Sequence, residues 1–184
     1  MISHKTEFMR VIKHKAPYQK QSSSYTRYFA QALSFNLLIV AGHFAEHLIQ
    51  MYQLYVLHMH PKLAGGILGL YFPQLAQNEV LHIAYNSLQL MGLLVLLPGF
   101  LKQESKAKLC WRVAIVAQSW HFFEHVLLQV QYLTGQYLFG ALHQKSLLEF
   151  LFPRAELHFT YNLLAFTPTL IAVCLYFWHK RTNE

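Results

Sequence analysis

The chain has 184 residues, 54% of them hydrophobic and only 12% charged, about half the charge of a usual soluble domain. So few charges cannot keep a surface of this size in water, so the composition predicts an all-α integral membrane protein. Fifteen Lys and Arg oppose eight acids, all of them Glu, but the basic residues fall where membrane topology needs them, which argues against nucleic acid as a partner.

In chain order, residues 1–27 carry Lys5, Arg10, Lys13, Lys15, Lys20 and Arg27. They lack the apolar core and small-residue cleavage site of a signal peptide and read as a basic cytoplasmic tail. From Tyr28 to about Leu57 no Lys or Arg occurs and Glu46 is the sole acid, which predicts a first membrane span, longer than the roughly 20 residues required. A second span is expected over about Leu75–Leu101, then a polar linker at 102–108, and a third over about Leu109–Leu133. The fourth runs over about Arg154–Trp178, with Pro168 inside it, and residues 180–184 form a short tail.

The two tails and the connection from Lys102 to Arg112 hold twelve Lys and Arg, against Lys62, Lys145 and Arg154 in the other two loops. That asymmetry puts both termini in the cytoplasm and those two loops outside. The outer loops are themselves apolar, and Leu-Ala-Gly-Gly-Ile-Leu-Gly-Leu-Tyr-Phe-Pro from Leu63 is the clearest case. They are expected to lie in the interface or to fold back over the bundle as lids.

A repeat of about 78 residues runs through the chain. His43-Phe-Ala-Glu46-His47 matches His121-Phe-Phe-Glu124-His125, Gln53 matches Gln131, and Phe72-Pro73 matches Phe152-Pro153. His82, Tyr85 and Asn86 match His158, Tyr161 and Asn162. Residues 28–101 and 109–179 therefore read as tandem pseudo-symmetric two-helix hairpins, related by an axis along the membrane normal and forming a four-transmembrane-helix bundle.

The shared residues are the ones most costly to bury in lipid. Helical i,i+4 spacing puts His43 with His47, and His121 with His125, on one face, with Glu46 and Glu124 flanking. At about 1.5 Å per residue all six His, including His82 and His158, fall at one depth in the outer half of the membrane. Metal coordination would relieve the burial cost, so His43, His47, His82, His121, His125, His158, Glu46 and Glu124 are the expected ligands, around one or two ions. Glu79, Glu156, Tyr85, Asn86, Tyr161 and Asn162 are expected as supporting or alternative ligands. His58, His60 and His143 lie in or beside the outer loops and are expected at the surface rather than as ligands, with metal entry at His58-Met59-His60 the lesser alternative.

Iron or copper suits such a set, which suggests a membrane oxidoreductase acting on a lipid-like or quinone-like substrate. In broad style the boxes resemble those of histidine-box membrane oxygenases and desaturases. Here HxxEH within spans replaces their HxxxH and HxxHH, so the resemblance implies a class of chemistry and no residue roles. The alternatives are a bis-His haem b electron carrier, a metal-delivery protein, and a non-catalytic subunit of a membrane complex or oligomer. Cys110 and Cys174 provide neither a disulfide framework nor a CxxC knot. No nucleophile elbow or phosphate loop supports a hydrolase or nucleotidase.

Overall fold

The computed structural model describes residues 16–76, 79–103 and 105–182. Residues 1–15 of the expected tail lie outside the described residues, as do Gln77, Asn78, Glu104 of the linker, Asn183 and Glu184. Among the described residues the elements are all helical: α1 (Ala16–Tyr55), α2 (Gly66–Tyr71), α3 (Pro73–Ala76), α4 (Glu79–Leu101), α5 (Ser105–Thr134) and α6 (Arg154–Thr182). Short 3-10 turns, Leu138–Gly140 and Leu148–Phe150, punctuate the segment between α5 and α6.

Three helical stretches are long and apolar enough to cross a membrane: Arg27–Tyr55, Glu79–Leu101 and Arg154–Thr182. The helices outrun the expected apolar spans where nothing in the sequence stops them. In α1 the helix begins at Ala16, with Pro17 in the first turn, where a missing N–H costs nothing. At the far end α6 continues through His179, Lys180 and Arg181, cations that suit the negative end of a helix dipole. Both α4 and α6 run on through Pro98 and Pro168. Each proline deprives the carbonyl four residues earlier, Leu94 or Leu164, of its backbone donor, as membrane helices tolerate.

The four long helices close into a ring in which α1 and α5 each pack against both α4 and α6. Their buried positions step by three and four: Leu33, Asn36, Val40 and His47 on α1, then Asn86, Gln89, Leu93, Leu96 and Phe100 on α4. The same stepping links Ala107, Trp111, Ala114, Gln118, His121, His125 and Leu128 on α5, and His158, Asn162, Ala165, Thr169, Ala172 and Tyr176 on α6. This spacing gives shallow crossing angles and interlocking side chains.

The bundle has two unlike ends. At one, Leu33, Leu93, Leu96, Phe100, Trp111, Val173 and Tyr176 form an apolar core. Trp111 stacks on Phe100 at 3.9 Å between ring centroids and donates Nε1–H to the Leu93 carbonyl at 2.9 Å. At the other end the interior is polar, filled by imidazoles, amides and carboxylates. Large apolar side chains cover much of the outside of the bundle, with Phe35, Leu38, Val95 and Val116 each at least 65% exposed. Such a molecule is oily outside and polar within, the arrangement that lipid stabilises and water does not.

Candidate metal centre

The polar end is built on the two i,i+4 histidine pairs. One helical turn brings His43 and His47 to 3.3 Å between Nε2 atoms, and His121 and His125 to 3.1 Å. Across the helix interface α6 adds His158, whose Nε2 lies 3.2 Å from that of His125. The His82 ring stacks on His125 at 5.1 Å and lies 6.2 Å from His158, and His47 is likewise 6.2 Å from His158. All six imidazoles thus meet in one layer contributed by all four long helices. Within it, His121, His125 and His158, all buried, hold ligand atoms within 4.8 Å of one another and could bind a metal ion.

Tautomers follow from what each Nδ1 faces. His125 Nδ1 is 2.9 Å from Glu79 Oε2, and Glu79 is also ion-paired to Arg154, so the carboxylate accepts and the ring donates. His158 Nδ1 is 2.9 Å from the Arg154 carbonyl, which can only accept. With both protons on Nδ1, the two Nε2 atoms, 3.2 Å apart, are left as acceptors with no proton to share. That contact is repulsive between neutral rings and becomes favourable with a cation between them. Donors around a tetrahedral ion with bonds of about 2.0–2.1 Å sit about 3.3 Å apart, so the spacing fits the ion. His47 follows the same rule, with Nδ1 at 3.1 Å from Gln50 Oε1, while Gln50 Nε2 donates to the Ala64 carbonyl at 2.8 Å.

The carboxylates of the two boxes go elsewhere. Glu46 accepts the N–H groups of Ile67, at 2.6 Å, and Leu68. Glu124 accepts from the Leu148 N–H and from the Tyr161 hydroxyl, the latter at 2.9 Å. Three residues is about 300° around a helix, so each glutamate sits some 60° from the first histidine of its box and about 100° from the second. From there it reaches the outer segments rather than the centre. The matched glutamines act alongside them. Gln53 both donates to and accepts from the Gly66 backbone, at 3.0 and 2.9 Å, and Gln131 does the same with Lys145 at 2.8 and 3.4 Å. Both apolar outer segments are thereby tied down over the polar end.

The other expected residues divide by role. Tyr85 stacks on His43 at 4.0 Å and donates its hydroxyl to the Ile39 carbonyl. Tyr161 packs beside His121 at 5.1 Å and receives a hydrogen bond from Trp120 Nε1. Asn86 and Asn162 donate to the carbonyls of His82 and His158, 2.8 and 2.9 Å away, fixing the helix turns that carry those rings. Glu156 accepts the Tyr55 hydroxyl in the outer region and touches no imidazole in the contacts described. His143 is exposed in the outer segment between α5 and α6.

A cleft of about 990 Å³ opens between the outer segments. Its floor is His47, His82 and His158, and its walls include Tyr55, His58, Met59 and Arg154 together with apolar Leu54, Leu63, Leu70 and Pro153. His121 and His125 do not line it.

One to two turns below the histidines lies a further polar layer, of which the sequence analysis named only Asn86 and missed Asn36, Gln89 and Gln118. Gln118 Nε2 donates to Asn86 Oδ1 at 2.7 Å, and both residues are fully buried. Gln89 is buried with neither amide atom hydrogen-bonded, and Asn36 Nδ2 is in the same position. Gly92 makes room for that layer, because a Cβ there would meet Asn36 Oδ1 at 2.2 Å. The heptad stepping from His82 through Asn86 to Gln89, and from Gln118 to His121, was the signal that could have found these amides.

No known protein family, curated protein or solved structure matches the chain.

Proposed function

We propose that this chain is a four-span membrane protein, with both termini cytoplasmic, that holds a transition-metal ion on His121, His125 and His158 for redox chemistry on a hydrophobic substrate. The observation that carries the reading is the gathering of His121, His125 and His158 into one buried group, with the Nε2 atoms of His125 and His158 3.2 Å apart. The latter two rings each have the Nδ1 proton committed to an acceptor on the far side of the ring. Imidazoles oriented in this way, with a carboxylate behind one of them, are the usual outer support of a metal ligand.

Four spans, rather than three, are supported by α5 itself. Its 30 residues reach about 45 Å, more than a bilayer core. Its polar residues Gln118, His121, Glu124, His125 and Gln131 are all buried in the bundle and need not meet lipid. The tandem duplication is supported by the paired bonding of Glu46 with Glu124 and Gln53 with Gln131, each reaching its own outer segment.

The inner donors are imidazoles, with carboxylates one step outside, a set that suits copper ahead of iron. The metal, when bound, supplies one-electron chemistry. The chain's own part is to orient the donors through Glu79, the Arg154 carbonyl and Gln50, and to roof the layer with its outer segments. A lipid-like or quinone-like substrate is favoured by the cleft, whose apolar walls end on three imidazoles. Haem b has less support, since rings packed at 4.8–5.5 Å between centroids leave no flat slot between His121, His125 and His158.

His125→Ala and His158→Ala should each lower the metal retained by detergent-purified protein several-fold, while His143→Ala leaves it unchanged. Equal retention in all three would remove the site. For the redox reading, a reduced quinol added anaerobically to copper-loaded protein should bleach the Cu(II) signal. A signal that persists would leave a binding protein without this chemistry.

A further inference from the structure

Deepening the reading above and resting on it, we infer that the cleft is a quinone site and that Arg154 is the residue that selects its occupant. Arg154 opens α6 where the cleft meets the histidine layer. Its carbonyl lies 2.9 Å from His158 Nδ1, whose proton it accepts. Its guanidinium is ion-paired through Nη2 to Glu79, the carboxylate behind His125, and Nε lies 3.4 Å from Glu149 of the outer segment. Nη1 takes part in neither pair, and the side chain lines the cleft at 42% exposure. A planar guanidinium gripped by two carboxylates is thus held in one orientation, with N–H donors left over for an occupant.

The surroundings of those donors narrow the class of ligand. Glu79 and Glu156 line the cleft with Arg154 and Lys62, and Glu149 adds a third carboxylate behind Arg154. A fatty acid or a phosphate head group would bring a further negative charge to a place where acids already outnumber bases. A plain hydrocarbon fails for the opposite reason, because it would cover the Arg154 donors and give them no acceptor. A neutral ring carbonyl avoids both costs. The apolar walls, Leu54, Leu63, Leu70 and Pro153, suit the tail of such a molecule. About 990 Å³ has room for a quinone ring and the start of that tail. Because Arg154 also holds His158, one residue would fix both the head group and a ligand of the metal.

The test measures binding of decylubiquinone to the metal-free, detergent-purified full chain by equilibrium dialysis, with palmitate and hexadecane as competitors. One quinone should bind per chain and resist a large excess of either competitor. In the infrared, one of its two ring carbonyl stretches should fall in frequency through the hydrogen bond to Arg154. Arg154→Lys, which keeps a cation for Glu79 and loses the forked donor, should bind several-fold more weakly and bring the two stretches together. Leu70→Trp, which fills the cleft from its wall, should abolish binding. Displacement by palmitate would overturn the inference in favour of an acidic lipid, and displacement by hexadecane in favour of an apolar groove that reads no head group. Unchanged affinity and carbonyl shift in Arg154→Lys would remove Arg154 as the anchor, and binding kept by Leu70→Trp would place the quinone outside the cleft. Copper retention is measured in parallel. A chain that retains copper and binds no quinone would overturn this inference and leave the metal centre standing. A chain that binds quinone as described and takes up no metal would support the site and overturn the metal reading.

Discussion

Gly66 opens α2 at a φ of +73°, and a Cβ there would lie 2.2 Å from Glu46 Oε2. Its backbone N–H and carbonyl are both held by Gln53, and the next two N–H groups by Glu46. Gly66→Ala should therefore destabilise the folded protein by about 1–2 kcal/mol from the left-handed backbone alone, with the carboxylate displaced in addition. A lowered thermal midpoint in detergent checks this, and an unchanged one would mean that Glu46 does not seat the outer segment. Gln89 makes the opposite case, as a buried amide with no hydrogen bond, which costs about 1–3 kcal/mol. Gln89→Leu should keep or raise the midpoint, and a marked fall would show that the amide has a partner. At this scale the histidines were legible because HxxEH fixes two rings on one face. The destination of each glutamate was not, because about 60–100° of helical rotation separates it from its histidines and no spacing rule says whether the centre or the outer segment is nearer.

Among the elements, α5 carries the most weight, since it contributes His121, His125, Glu124, Gln118 and Gln131 and packs on both α4 and α6. Its apolar stretch was legible as a helix although its interior face is polar. The positions of the long helices were readable within a few residues, and their extensions were not, because residues 18–27 and 105–108 contain no proline or glycine to end a helix. The segments joining α1 to α4 and α5 to α6 were read as lids or interfacial loops, and the glutamine bonds that tie them to the bundle needed coordinates. Gln131→Ala removes the hydrogen bonds to Leu138 and Lys145. It should make residues 135–153 cleave faster under limited proteolysis, with α5 and α6 intact. Cleavage at the unaltered rate would mean that the segment is held by its apolar contacts alone. Reporter fusions at the two termini should both report the cytoplasm, and opposite sides would exclude an even number of spans.

The molecule as a whole is a ring of four helices with its polarity reversed, apolar where it meets its surroundings and polar at one end of its interior. Composition announced the first half of that statement, and the duplication announced that the polar residues belong together. What composition could not supply was the second polar layer of Asn36, Asn86, Gln89 and Gln118. Of these only Asn86 stood out, through its match to Asn162, because the other three have no counterpart in the repeat and show only as heptad steps from the histidines. The account stands on the histidine layer being a metal centre, and elemental analysis with an absorption spectrum on the untagged, detergent-purified chain tests that most directly. The account predicts copper or iron at one to two equivalents per chain with no Soret band. A Soret band, or a chain that neither retains nor takes up metal, would contradict it.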